Sequence, residues 1–117
     1  MQAPHIRTAV PRRRYQVGEY NVVVLGEVES NDPVSYRFVM AVVPEGENEP
    51  VFYVVSEKAR RGEAVQGSHR LRVVAERLNE DLGVSDRWAD LDAFVEEAML
   101  VTRKALGLMD EHPFQLM

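Results

Sequence analysis

A short segment in the middle of this sequence concentrates side chains that can bind an anion. The residues concerned are Arg60, Arg61, Ser68, His69, Arg70 and Arg72. The last four lie at the start of a predicted helix, where free backbone N–H groups and the helix dipole attract negative charge. This pattern predicts an anion-binding or small-ligand site near residues 60–72. The alternative is a solvated arginine surface that pairs with the acidic segments of the chain.

Groups that would support catalysis or metal binding are scarce. Residues 62–67 have the glycine spacing of a phosphate-binding loop, but Ser68 stands where that loop needs a lysine, and His69 where it needs serine or threonine. The chain has no cysteine, and its remaining histidines, His5 and His112, have no metal-ligand spacing. The sequence therefore predicts no cofactor and no metal site, and it does not favour an enzyme.

The distribution of charge argues against nucleic acid as a partner. The chain has a net charge of −5, and residues 15–117 carry all nineteen acidic side chains with ten of the fourteen basic ones. Nucleic-acid binding depends on a basic surface, which this acidic region does not provide. Residues 1–13, which contain two prolines and end in consecutive arginines, are predicted to form a flexible basic arm.

Two helices are predicted in the second half of the chain. Over residues 68–82, apolar side chains recur every three or four positions, and Gly83 follows as a residue that can end a helix. A second helix is predicted to begin after Ser85 or Asp86, to carry one apolar stripe and to end before Gly107.

Three strands are predicted in the first half of the chain, at residues 15–29, 34–43 and 51–56, from runs of β-branched and aromatic residues. The segments 31–33 and 44–50 between them contain the asparagine, proline and glycine residues that turns require. Short connections of this kind join antiparallel strands. The predicted fold is therefore α+β, a three-stranded antiparallel meander followed by two helices packed on the sheet (β-β-β-α-α).

The alternation of side chains along these strands predicts how the strands pair. Opposed residues of an antiparallel pair share a face of the sheet. Placing Val24 opposite Phe38, and Met40 opposite Val54, puts the even-numbered apolar residues on one face. A shift by one residue would mix the two faces, so the parity of the pairing is the stronger part of this prediction.

The second face of the predicted sheet is apolar as well. Its odd-numbered side chains include Val23, Val39, Ala41, Val43, Val51, Tyr53 and Val55. A soluble monomer seldom exposes a contiguous apolar patch of this size. One explanation is cover from within the chain, by a helix or by the N-terminal arm. The other, which we carry as the functional prediction, places these seven residues in a homodimer interface or a contact with another protein.

These observations predict one domain over residues 14–109, with the arm before it and a C-terminal tail over residues 110–117. Residues 57–67 show no clear preference for helix or strand. No apolar run reaches the length of a membrane span, and no signal peptide is visible, so we expect a cytoplasmic protein. The predicted function is that of a small protein-interaction domain that self-associates through its apolar sheet face, and the alternative is the anion or small-ligand site.

Overall fold

The computed structural model describes residues 3–63 and 65–117, which form a single antiparallel sheet with one α-helix. The strands are β1 (Ile6–Val17), β2 (Tyr20–Ser30), β3 (Tyr36–Pro44), β4 (Phe52–Lys58), β5 (His69–Ala75), β6 (Leu78–Ser85) and β7 (Phe114–Gln115). The helix is α1 (Leu91–Ala105), and short 3-10 turns lie at Arg61–Glu63 and Asp86–Ala89. The predicted β-β-β-α-α fold, with three strands and two helices, is therefore wrong.

The seven strands follow one another as a meander. Their order across the sheet is β6-β5-β4-β3-β2-β1-β7, so each of the first six strands pairs with its neighbour in the sequence. The short strand β7 returns to the outer edge of β1. The apolar strands β3 and β4 consequently lie near the centre of the sheet, where each has a partner on both sides.

Residues 68–82, which were predicted to be a helix, lie mainly in the β5–β6 hairpin. Leu71 and Val74 are spaced as in a helix, but Leu71 and Val73 are also spaced as in a strand, and two adjacent valines favour the strand. Pairing with β4 decides between the two patterns, because it places Val73 opposite Val54 and buries both side chains. The sequence pattern alone was ambiguous, and the neighbouring strand resolves it.

Two glycines with positive φ have roles that the sequence pattern did not predict. Gly18, with φ 56°, lies in the tight turn between β1 and β2 and so divides the predicted strand 15–29. Gly83, with φ 105°, lies inside β6 and does not end a helix. It is next to the register shift between β5 and β6. Glycine is the residue that adopts such backbone angles without strain.

Residues 6–13, which the sequence assigned to a flexible arm, form the first part of β1. Their backbone pairs with β2, for example at Val10 and Gly26, and the pairing continues through Arg14 and Val23. Strand pairing uses backbone groups, so polar and basic side chains that reach solvent are compatible with it. Residues 1 and 2 of the predicted arm, and residue 64 of segment 57–67, lie outside the described residues.

The pairing predicted between the second and third strands of the sequence analysis is confirmed. The pairing predicted between the first and second of them is shifted. Met40 of β3 lies opposite Val54 of β4, as predicted. Val24 of β2 lies opposite Met40, where the prediction had Phe38. Because the shift is two residues, the even-numbered side chains of β2, β3 and β4 still share one face.

The α-helix packs on the face that carries these even-numbered residues, which we call the helix face. Its apolar side chains join those of the sheet in one buried core. The rings of Phe94 and Phe38 lie 5.3 Å apart between centroids, and the Thr102 hydroxyl donates to the sulfur of Met40 at 3.7 Å. The largest cluster of buried side chains therefore lies between α1 and the sheet.

The second predicted helix is confirmed in its end, but it begins at Leu91, later than the predicted start after Ser85 or Asp86. A 3-10 turn at Asp86–Ala89 comes first, and α1 begins after Asp90, whose carboxylate accepts a hydrogen bond from the Ala93 N–H at 2.9 Å. An aspartate in this position satisfies a backbone donor that the first turn of a helix leaves free. The helix ends before Gly107, which has φ 68°.

Replacing Phe94 with alanine tests this packing. The Phe94 side chain is fully buried, so its removal should leave a cavity and lower the free energy of unfolding by about 3–5 kcal/mol. The measurement is urea denaturation followed by circular dichroism. The control is Glu96→Ala, an exposed position on the same helix, which should change the free energy by less than about 0.5 kcal/mol. Equal stability losses in the two variants would contradict the packing described.

Candidate functional site

The sheet face opposite α1 has a different composition, and we call it the open face because α1 and the turn at Asp86–Ala89 pack on the helix face. Two rows of opposed residues cross it: Val23, Ala41, Tyr53 and Val74 in one, and Leu25, Val39, Val55 and Arg72 in the other. The first row is apolar throughout, and the second ends in a charge. The open face therefore changes character from β2 toward β5.

The seven predicted interface residues lie on the open face or beside it, but they differ in accessibility. The three central ones, Val39, Ala41 and Val55, expose at most 5% of their surface. The other four remain accessible: Val23, Val43 and Tyr53 are half-buried, and Val51 is 46% exposed. A partner that docks on this face would therefore touch mainly the second group.

The C-terminal segment extends this accessible apolar surface beyond β1. Phe114 lies opposite Gln16, and the Leu116 N–H donates to the carbonyl oxygen of Arg14 at 2.7 Å. Arg14 itself lies opposite Val23, and opposed residues share a face, so both apolar side chains lie on the open face. Phe114 is 68% exposed and Leu116 is 55% exposed.

Sequence reasoning missed Phe114 and Leu116 because it assigned them to a tail outside the domain. The signal that could have located them is their period-two spacing, which is short but typical of a strand. Leu116 lines a shallow cavity of about 310 Å³ together with Val23 and Val43. We call the accessible set the apolar end of the open face: Val23, Val43, Val51, Tyr53, Phe114 and Leu116.

The other end of the open face, toward β5 and β6, is charged. Arg72 Nη2 lies 2.7 Å from Glu57 Oε1, and the Glu57 side chain is only 6% exposed. Arg70 forms a second ion pair with Asp81. Tyr36 lies opposite Glu57 across β3 and β4. The Nε atom of Arg72 is buried and has no hydrogen-bond partner among the residues that the structure describes. We call these five residues the charged end.

A cavity of about 350 Å³ lies over the charged end. Val55 and Val74 contribute apolar wall, while Glu57, Arg60 and Arg72 contribute charge. Cavities of this size, with apolar walls and a few polar groups, are typical of small-molecule sites. The geometry therefore offers a second candidate site, separate from the apolar end.

The N-terminal residues form another wall of this cavity, and a hydrogen-bond network holds them there. Ala3 and Pro4 line the cavity, and the next residue, His5, is bound to Asp32. The His5 N–H donates to Asp32 Oδ2 at 3.0 Å, and the His5 Nδ1 atom lies 2.9 Å from Oδ1. The Tyr36 hydroxyl donates to the same carboxylate at 2.6 Å.

These contacts change the acidity of both members of the network. Burial acts to raise the pKa of Asp32, but hydrogen bonds from Tyr36 and His5 outweigh it and hold that pKa below its usual value. Burial, together with the hydrogen bond to Asp32, raises the pKa of Tyr36 well above its usual value. At neutral pH, Asp32 is therefore ionised and the Tyr36 hydroxyl remains a donor.

The predicted anion-site residues are not gathered in one place. The helix on which that prediction depended is absent at this point, since Ser68 precedes β5 and its N–H donates to Asp86 Oδ1 at 2.8 Å. His69 shares the parity of Leu71 and lies on the helix side of the sheet. Burial, together with the charge of Arg37 and of a nearby lysine, lowers the pKa of His69.

The four arginines of that prediction also separate. Arg61 is exposed in the first 3-10 turn, and Arg70 pairs with Asp81. Arg60 and Arg72 line the cavity over the charged end. Anion binding by these two residues stays a prediction, and the cavity is the place where it would occur.

Residues 3–63 and 65–117 show neither a metal-binding cluster nor a membrane-spanning helix. No group of three or more histidine, aspartate or glutamate side chains in these ranges is arranged to hold a metal ion. The same ranges contain no helix with the length and hydrophobicity needed to cross a bilayer. Comparison with protein-family models, with curated proteins and with solved structures gives no match for this chain. We therefore infer function from the geometry of the open face.

The Asp32 network predicts a contribution to stability that depends on pH. The folded-state pKa of Asp32 lies below its unfolded value of about 4, so the contribution is fully present above that value and is lost as the pH falls through the folded pKa. Asp32→Asn should therefore lower the urea midpoint clearly at about pH 7 and much less at about pH 3.

The matched control for this measurement is Asp110→Asn, an exposed position in the C-terminal region. It should leave the urea midpoint unchanged at both pH values. Equal losses for Asp32→Asn at neutral and acidic pH would show that the charge of Asp32 does not stabilise the fold.

Proposed function

We propose that this protein is a small interaction domain that pairs with a second copy of itself through the apolar end of the open face. The observation that carries the proposal is the accessible hydrocarbon at this end, on a face that α1 leaves uncovered. Contiguous apolar surface in water is unfavourable, and association removes it from water.

The dimensions of the apolar end indicate how stable such a dimer would be. It reaches from β7 to β4, four strand spacings of about 4.8 Å, but along the strands it covers only two levels of side chains, so it measures roughly 20 by 10 Å. Two copies would then bury about 400 Å² in total, well below the roughly 1,200–2,000 Å² of a stable complex. We therefore expect a weak dimer, with a dissociation constant on the order of 100 μM.

The apolar end includes and borders charges that suit pairing with an identical surface, since Arg14 lies between Leu116 and Val23. Arg14 and Glu47 line the same shallow cavity as Leu116. In a two-fold dimer each copy presents the same patch, so a patch with both signs of charge can set Arg14 against the partner's Glu47. This complementarity favours a second copy over an unrelated partner of one charge sign.

Replacing exposed apolar residues with aspartate tests the proposal. Val51→Asp and Phe114→Asp alter two different elements of the apolar end, and each should raise the dissociation constant at least about tenfold because a carboxylate would lose water on association. The measurement is sedimentation equilibrium of the full chain from about 5 to 200 μM, a range that brackets the expected constant.

The matched control is Val65→Asp, since Val65 is 92% exposed and lies in a turn away from the apolar end. It should dimerise as the unmodified chain does. Circular dichroism checks that all three variants fold. An unmodified chain that stays monomeric throughout the concentration range would contradict self-association, as would dimers that tolerate both aspartates.

A further inference from the structure

We propose that the cavity over the charged end binds a free α-amino acid with an apolar side chain. This site lies beside the surface proposed for self-association, on its β5 side, since Val74 of the cavity lies opposite Tyr53. It depends on separate observations, namely a cavity, an apolar wall and an ion pair between the buried Glu57 and the half-buried Arg72. Each of these corresponds to one part of the ligand.

The apolar wall matches the side chain of such a ligand. Val55 and Val74 are almost fully buried and line the cavity next to the charged residues. The hydrocarbon side chain of the ligand would be removed from water when it packs against these valines, and no polar contact would be lost. The cavity volume of about 350 Å³ is at the lower end for small-molecule sites, which favours a single amino acid over a peptide.

The charged lining matches the backbone groups of a free amino acid. Two basic residues, Arg60 and Arg72, and two acidic ones, Glu57 and Asp32, line the cavity, so its formal charge is balanced. A lone anion or a lone cation would disturb this balance, and burying an uncompensated charge is costly. A zwitterion preserves it, with its carboxylate toward the arginines and its ammonium toward Glu57.

The hydrogen bonding of Arg72 is incomplete, which supports an exchange of partners. Its Nη2 atom contacts Glu57, while its buried Nε has no hydrogen-bond partner within residues 3–63 and 65–117. A planar guanidinium binds a carboxylate best through two parallel N–H donors. A small reorientation of Arg72 toward the ligand carboxylate would satisfy the unused donor and leave Glu57 available to the ammonium group.

Three related compounds test the proposal on the full chain. L-leucine carries both charges, 4-methylpentanoate only the carboxylate, and 3-methylbutylamine only the ammonium group. In amide NMR titrations at neutral pH, we expect L-leucine to shift the signals of Val55, Glu57 and Arg72 with a dissociation constant on the order of 1 mM. The two single-charge compounds should bind at least about tenfold more weakly.

Variants then identify the charged groups. Removing one member of a buried ion pair destabilises a protein strongly, so Glu57→Gln is interpretable only if circular dichroism shows that it folds. Arg60→Glu changes an exposed lining residue, and it should weaken L-leucine binding at least about fivefold by opposing the carboxylate. Arg77→Glu, an exposed residue in the β5–β6 turn, is the matched control and should bind as the unmodified chain does.

The results of these titrations distinguish binding at this cavity from self-association. Equal affinity for the three compounds, unchanged binding in Arg60→Glu, or no shifts at Val55 and Glu57 with L-leucine at about 20 mM would each overturn the amino-acid site. Shifts at Val23 and Val43 that depend on protein concentration report dimer formation instead. Loss of one set of shifts therefore leaves the other proposal intact.

Discussion

The alternation of side chains across a β-strand is the constraint on which this structure depends. β3 and β4 are apolar at most of their positions, and they pair near the centre of the sheet, so hydrocarbon emerges from both faces. The single helix can bury one face, where Phe94 meets Phe38. The composition of the open face is therefore a direct consequence of two strands that are apolar on both sides.

Burial divides the open face into two surfaces with different properties. Val39 and Ala41, at its centre, are almost inaccessible, so they support the sheet and offer little surface to a partner. Hydrocarbon stays accessible on one side of them, and on the other side the buried pair of Glu57 and Arg72 borders a cavity. An apolar patch that looks continuous in the strand pattern is thus interrupted at its centre by residues that are almost fully buried.

The central strand pairing could be predicted from the sequence, because parity constrains strands that are apolar at every second position. Met40 and Val54 are opposed as expected, and α1 ends before Gly107 as expected. The segment 68–82 could not be predicted, since its valines and leucines fit both periods and the choice depends on β4. The same holds for the cavity, because Arg72 reaches Glu57 only through a strand pairing that the predicted helix excluded.

The close approach of Gly67 to Ser85 could not be predicted either. A Cβ atom at Gly67 would lie 2.5 Å from the Ser85 backbone, and a contact between such distant segments does not show in the local sequence pattern.

The two edges of the sheet carry features that disfavour the addition of further strands. β6 forms one border and carries acidic residues such as Glu80 and Asp81 beside an irregular pairing at Gly83. β1, near the other border, contains Pro11, which has no N–H to donate, and its pairing with β2 is also irregular there. Features of this kind prevent further strands from adding side by side. Growth into open-ended fibrils through these strand edges is thereby disfavoured.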